Sequence, residues 1–371
     1  MEIKSHPELA EVGGYRGGDS PVRAIYGHWD GKYGGYYTQA EIRRIIDYAI
    51  KRNIEVIPEI DLPGHSRTIA LLHPEILCGY EPDLTSSGGY DRRNVWCVAR
   101  EENYALLEDI VREVAMLFPS EYIHIGGDEV LMGQWNRCPH CKALMREKGY
   151  QTGEELQEHF MLRVADILSR YGKKAAVWNE AIKGGKLPET VRVHCWEDVK
   201  ACKKSAEAGY GSIIMPARYF YFDMRQSEQE PGHTWAAIFD TEDCYSFDFA
   251  ELGLTEEKMK NVLGVEGAFW TELYLYNGHD FMDYQLFPRI CALSEIAWTP
   301  QSQRSWQHFA SRLEKHLPRL DAMGIKYRME PQKQQRPEYV YPQAELTGSI
   351  PQSEKNPYSG AAEYKKQART I

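Results

Sequence analysis

The sixteen residues TQAEIRRIIDYAIKRN, at 38–53, run without a break into IEVIPEIDLPGH, at 54–65, and that join limits the fold more than any other feature of the chain. The first stretch offers Thr38 as an N-cap with Glu41 three residues on, a capping box, followed by Ile42, Ile45, Ile46, Ala49 and Ile50 along one helical stripe. The second contains a short apolar run over 54–60, broken by Pro63 and Gly64, which reads as a buried strand. A helix feeding a buried strand through one polar residue, Asn53, is half of a βαβ repeat. The pattern recurs: helices over 101–117 and 154–171 lead to strands over 121–126 and 174–179, and further strands are predicted near 191–196, 212–216 and 264–270. Such alternation calls for parallel strands with helices on their faces.

The strands end in chemically rich segments: PEIDLPGH, GGDE, VWNE, HCWED, MPARYFYFD and FWTE. In open and closed α/β sheets alike the carboxyl ends of the strands carry the site, so these endings predict one shared pocket. A (β/α)₈ barrel of the TIM type needs eight strands, and six are recognisable, so the expected fold is an α/β barrel short of about two units at its amino end. Segment 13–37, rich in Gly and Tyr, reads as an irregular loop. Helices over 283–297 and 304–322 close the repeat. The barrel is therefore expected over 1–328, and 329–371, dominated by Pro, Gln, Ser and Tyr, is a tail that cannot build a core.

A net charge of −10, from 44 basic and 54 acidic residues, argues against a nucleic-acid partner. No apolar run approaches the roughly 20 residues of a membrane span, and MEIKSHPELAEV has neither the basic start nor the apolar centre of a signal peptide. The eight cysteines are scattered and do not resemble a disulfide scaffold. CPHC at 138–141 is half of a zinc motif, without a second Cys or His pair at suitable spacing, and reads as two small residues in a turn. No metal and no cofactor are expected. The 9 Trp, 24 Tyr and 11 Phe suit either a padded core or a sugar site, where rings stack on the apolar face of a pyranose.

YIHIGGDEV, at 122–130, carries the sharpest chemical signal. Adjacent side chains on a strand point to opposite faces, so Asp128 and Glu129 would diverge if the strand continued. Gly126 and Gly127 permit a sharp break that aims both acids into the mouth of a site. Two such neighbours divide into a proton donor and a charge stabiliser. A helix N-terminus accepting two acids through its dipole is the structural alternative. Asp61, His65, His124 and Glu129 could also gather around a metal.

YIHIGGDEV, preceded by VIPEIDLPGHS and followed by AAVWNEA, VHCWED, YFYFD and AFWTELY, resembles glycoside hydrolase family 20, the β-N-acetylhexosaminidases, in family order over about residues 1–325. The resemblance implies removal of terminal β-linked N-acetylglucosamine or N-acetylgalactosamine from oligosaccharides or glycoconjugates, with retention, the substrate's own acetamido oxygen serving as nucleophile. It assigns Asp128 to the acetamido N–H and the oxazolinium charge, Glu129 to protonating the leaving oxygen and activating water, and Tyr221 to the acetamido oxygen. It implies that Trp178, Trp196 and Trp270 wall the N-acetyl group, that Asp223 and Glu272 accept outer hydroxyls, that His65 orients the site and that Trp235 lies near the next sugar. It also implies a periplasmic or secreted setting.

The family's first strand with its sugar-clamping arginine, the helix after it and the next strand are not found here. An incomplete barrel exposes two strand edges, and closure by another chain, as in a dimer, fits that need. Two other readings of the same residues stay open: a conventional retaining barrel glycosidase with Glu180 as acid and Glu272 as nucleophile, and a non-catalytic glycan-binding remnant of the barrel.

Overall fold

The computed structural model describes residues 1–22, 31–79, 94–271 and 274–329. The chain divides into two compact units, Met1–His194 and Cys195–Ile371.

The first unit holds four neighbouring parallel strands in chain order: β1 Glu59–Leu62, β2 Tyr122–Gly126, β3 Lys174–Trp178 and β4 Arg192–Cys195, whose last residue opens the second unit. Helix α1, Gln39–Ile50, begins at the expected capping box: the Thr38 hydroxyl accepts from the Glu41 N–H, and the Glu41 carboxylate accepts from the Thr38 N–H at 2.8 Å. Its buried stripe is Gln39, Ile42, Ile46 and Ala49. Ile45 and Ile50, expected on that stripe, flank it and are exposed, as are Tyr48 and Ile54. Helices α2, Glu101–Leu117, and α3, Gly153–Arg170, pack on each other, with the rings of Tyr104 and Phe160 5.6 Å apart, and Leu107, Val111, Val114, Phe160 and Val164 are all essentially inaccessible. Four of the five residues of β2 and of β3 are buried, the continuous burial that parallel strands covered on both faces require.

Two expectations shift. The apolar run at 54–60 becomes a ladder only at Glu59–Leu62, because Pro58 has no N–H to donate and Ile54 and Glu55 remain exposed. Among the described residues β1 pairs on one side only, with β2. Segment 13–37 is not wholly irregular: Tyr15–Arg16 and Tyr33–Gly34 form a short antiparallel ribbon, while 23–30 lie outside the described residues.

The CPHC stretch is also more than a turn. Cys138 caps the helix Pro139–Lys148 and Cys141 sits in its first turn. Cys78 and Cys97 lie against this pair.

The second unit holds β5, Gly211–Ile214, and β6, Val262–Val265, parallel to each other. The last strand is thus earlier and shorter than the expected 264–270. Helix α4, Val199–Glu207, is capped by Asp198 and packs on β5. The predicted helix over 283–297 is two helices, α5 Tyr274–Leu286 and α6 Arg289–Trp298, divided at Pro288, whose missing N–H cannot continue the ladder. Helix α7, Trp306–Ala322, follows as expected. The tail from 330 onward, and Glu272, lie outside the described residues.

Candidate active site

The site in the first unit is made by the way β2 ends. Gly126 and Gly127 adopt φ of 70° and 105°, and Glu129 itself sits at φ 48°. Neither glycine can be replaced at low cost. A Cβ on Gly126 would overlap the Asp61 carboxylate and come within 2.8 Å of the Leu62 nitrogen, and one on Gly127 would lie 2.6 Å from Ala181 Cβ. The break turns the chain so that Asp128 and Glu129 reach the same histidine: His65 Nε2 is 3.3 Å from Asp128 Oδ2 and 3.6 Å from Glu129 Oε2. No helix begins at these acids, so the dipole alternative falls away; the next element, Met132–Gln134, is a single 3₁₀ turn capped by Leu131.

The partner loop is equally constrained. His65 follows β1 and adopts φ 48°, an uncommon conformation for a side chain of its size. Ser66 Oγ donates to the Gly64 carbonyl at 2.7 Å and accepts from Trp96 Nε1 at 2.9 Å, which pins the turn. On the β2 side, Gln157 Nε2 donates to the Gly127 carbonyl at 2.6 Å, and the Glu129 N–H donates to Glu180 Oε2 at 3.2 Å. Glu180 therefore acts on the backbone of Glu129 in this structure.

Asp61, His65 and Asp128 converge, with one ligating atom of each within 4.8 Å of the others. Their ionisation is coupled. Burial opposes charge on Asp128, but the hydrogen bond and positive charge of His65, helped by Asp61, outweigh it and hold the carboxyl below its ordinary range. Burial likewise favours a neutral His65, but Asp128, then Asp61 and Glu129, push the imidazole well above its usual value. Asp61 moves the other way: burial, reinforced by the charge of Asp128, raises its carboxyl well above the ordinary range. The arrangement therefore favours the carboxylate form of Asp128, the imidazolium form of His65 and the protonated form of Asp61. The metal grouping considered from the sequence does not form as such. His124 turns away to Glu59, with Nδ1 3.4 Å from Glu59 Oε1, and accepts the Gly126 N–H.

Trp178 ends β3 and is buried, its indole N–H donating to Glu59 Oε1 at 3.0 Å. It packs on His124, ring centroids 4.4 Å apart, and edge-on to His194. Glu59 was legible only as a polar residue at a strand end, and Asp61 as that and as a candidate metal ligand. Asp61 four positions before His65, on the strand beside β2, is the signal that marks it.

In the second unit Trp196, Tyr221, Trp235 and Trp270 form an aromatic cluster. Tyr221 stands at the centre, its ring centroid 6.0 Å from Trp196, 5.5 Å from Trp235 and 6.2 Å from Trp270. Tyr221 is held by a parallel bridge to Ala268, with the Phe222 N–H donating to the Ala268 carbonyl at 2.7 Å. Trp196 and Tyr221 are buried, Trp235 is half-buried and Trp270 is exposed. Asp223, also buried, rides on a segment clamped by Arg289, which sequence reasoning missed. This fully buried guanidinium donates to the carbonyls of Phe222 at 2.6 Å, Met224 at 3.1 Å and Gln285 at 2.7 Å. An arginine amid the apolar pattern of α6 was its only trace.

With this geometry described, comparison with known proteins is direct. The family profile for glycosyl hydrolase family 20, catalytic domain, matches residues 1–301. A β-hexosaminidase from Vibrio furnissii is 39% identical over 300 residues, covering 79% of this chain and 48% of the relative. One from Porphyromonas gingivalis is 33% identical, covering 88% of this chain and 41% of the relative. Among solved structures, the exo-β-N-acetylglucosaminidase from Vibrio harveyi in complex with N-acetylglucosamine superposes with a TM-score of 0.81 at 38% identity, over 88% of this chain and 52% of that one. The chain thus spans about half the length of the relatives it matches.

Proposed function

Since the chain belongs to glycosyl hydrolase family 20, we propose that it is the catalytic part of an exo-acting β-N-acetylhexosaminidase, removing terminal β-linked N-acetylglucosamine or N-acetylgalactosamine with retention. The observation that carries the proposal is the pair Asp128 and Glu129, side by side after a glycine-broken strand and joined through one imidazole, that of His65. A conventional retaining glycosidase sets its carboxyls about 5 Å apart, on opposite faces of the sugar. Neighbouring acids suit a different division. Asp128, kept anionic by His65, accepts the acetamido N–H, pushes the acetamido oxygen towards the anomeric carbon and stabilises the cationic oxazolinium ion. Glu129 gives its proton to the leaving oxygen, then takes one from the water that opens the ring.

In the same proposal Tyr221 donates to the acetamido oxygen. Trp178, Trp196 and Trp270 shape the space for the N-acetyl group, Asp223 and Glu272 accept sugar hydroxyls, and Trp235 meets the next residue of the glycan. The catalytic part spans 1–328, with 329–371 as an appended tail. A second copy covering the exposed Ile45, Tyr48, Ile50 and Ile54 belongs to the proposal too, and sedimentation of the purified chain checks it.

The Glu180–Glu272 alternative loses support because the Glu180 carboxylate accepts the Glu129 N–H and lies 3.7 Å from Lys183 Nζ. The test is hydrolysis of an aryl β-N-acetylglucosaminide beside the matching aryl β-glucoside. Turnover of the first, near-absence of the second, and loss of roughly 10²–10⁴-fold in Glu129→Gln, with partial recovery on substrates having acidic leaving groups, are expected. Equal turnover of both substrates, or normal rates in Asp128→Asn, refutes the proposal.

A further inference from the structure

Outside the acid cluster, the first unit carries a second convergence of ligating side chains. Cys78, Cys97, Cys138 and Cys141 come from three separate stretches, and their sulfurs all lie within 4.8 Å of one another. Cys97 Sγ is 3.7 Å from Cys141 Sγ and 4.0 Å from Cys138 Sγ, and Cys78 Sγ is 3.8 Å from Cys141 Sγ. These are not disulfide distances, which require sulfurs about 2.05 Å apart. They match the edge of a tetrahedral thiolate site: four sulfurs about 2.3 Å from a central Zn²⁺ stand about 3.8 Å from each other.

We propose that these four cysteines bind one Zn²⁺ as a closed, structural Cys₄ site. The chemistry of the surroundings agrees. Cys97, Cys138 and Cys141 are buried and Cys78 is half-buried, so the four thiolates leave no open position for water or substrate. Cys138 and Cys141 form a Cys-Pro-His-Cys turn at the start of the helix Pro139–Lys148, whose aligned N–H groups favour negative charge. Binding is a plain exchange: Zn²⁺ replaces four thiol protons, which pass to solvent, and no electron moves. Four neutral thiols packed as small apolar groups are the alternative, since free cysteine is often buried. That alternative gives no reason for sulfurs from three stretches to meet at one point.

The site would serve as a staple behind the acid cluster. The Cys97 N–H donates to the Ile76 carbonyl, and Asn103 Nδ2 donates to the carbonyls of both Ile76 and Cys97 at 3.0 and 2.9 Å. Trp96, beside Cys97, accepts from Trp135 Nε1 at its carbonyl and donates its own indole N–H to Ser66, the neighbour of His65. The metal would thus tie the helix Pro139–Lys148 to the loop after β1 that carries His65.

The experiment is metal analysis of the full chain purified without chelators. Close to one zinc per chain, displaced by a mercurial thiol reagent and captured by a coloured chelator, is expected. Growth with Co²⁺ should give the thiolate-to-cobalt charge-transfer bands and intense d–d bands of a tetrahedral sulfur site. Cys141→Ser should lose the metal, and Cys291→Ser, outside the cluster, should keep it. If Cys141→Ser does not fold, the cobalt spectrum of the unaltered chain decides. A folded chain that holds less than about a fifth of an equivalent after exposure to Zn²⁺, or peptide mapping that finds any two of the four cysteines in a disulfide, overturns the proposal.

Discussion

Asp61→Asn separates charge from shape in the acid cluster, because the amide fills the same space and cannot ionise. In the parent, burial and the Asp128 carboxylate raise the Asp61 carboxyl well above its ordinary range. In the unfolded chain it titrates near ~3.9. Between those two points the folded state holds a proton that the unfolded state has lost, so stability falls as pH rises, by up to about 1.4 kcal/mol per pH unit. The variant has no such slope. His65 and Asp128 both respond to Asp61, so the difference between variant and parent reports Asp61 together with its effect on these two neighbours. Urea unfolding followed by tryptophan fluorescence from pH 4 to 8 should find the variant gaining on the parent as pH rises, until the folded Asp61 carboxyl itself ionises.

Activity provides the second arm. A protonated Asp61 donates to Asp128, and the side-chain amide that Asp61→Asn puts in its place can donate too, so kcat/KM should stay within about threefold. Asp61→Ala removes a hydrogen bond to a charged group, worth about 1.5–3 kcal/mol, and should cost roughly 10–150-fold. A variant-minus-parent stability that stays flat across the pH range would refute the assignment of the proton to Asp61, as would Asp61→Asn being as slow as Asp128→Asn.

Other perturbations follow from the same contacts. His65, raised by Asp128, contributes its ion pair fully below the ordinary imidazole pKa and loses it as pH rises through the folded value; His65→Gln should therefore remove part of the alkaline decline in stability, read by thermal unfolding. Gly127→Ala must place a Cβ 2.6 Å from Ala181 Cβ at φ 105° and should cost more than about 2 kcal/mol in urea unfolding. Thr38→Ala removes the capping-box hydroxyl and should cost about 1 kcal/mol with kcat unchanged. Arg289→Met leaves the Phe222 and Met224 carbonyls without their donor and should destabilise by about 3 kcal/mol or more, lowering the unfolding midpoint.

The α/β class and the six parallel strands were legible because they rest on local signals. Burial on both faces produces short apolar runs, and the Thr38–Glu41 box acts within a few residues of where it is read; the break at Pro288 is equally local but was passed over in the helix expected over 283–297. Strand limits were less so. Val262–Val265 and Glu59–Leu62 depend on which neighbour offers a hydrogen bond, and that is decided by pairing across long sequence separations. The stripe of α1 was drawn too wide for a related reason: Ile45 and Ile50 fit an apolar period, but an apolar residue at a boundary is buried only if something packs over it.

For the site, the adjacency of Asp128 and Glu129 carried the chemistry, because two glycines before two acids admit few conformations. The charge on each acid was not legible, since it depends on Asp61 and His65, which arrive from another strand. Spacing rules failed most clearly at the cysteines. Cys138 and Cys141 form a readable pair, but Cys78 and Cys97 stand alone and are 19 positions apart, so no second pair could be recognised. What unites them is the bridge between Leu77 and Trp96, which sets the neighbouring Cys78 and Cys97 against the start of the helix Pro139–Lys148. Two singletons joined through a backbone bridge are chemically equivalent to a second pair, and a search for ligands has to be made in space before their absence from the sequence pattern can count against a metal.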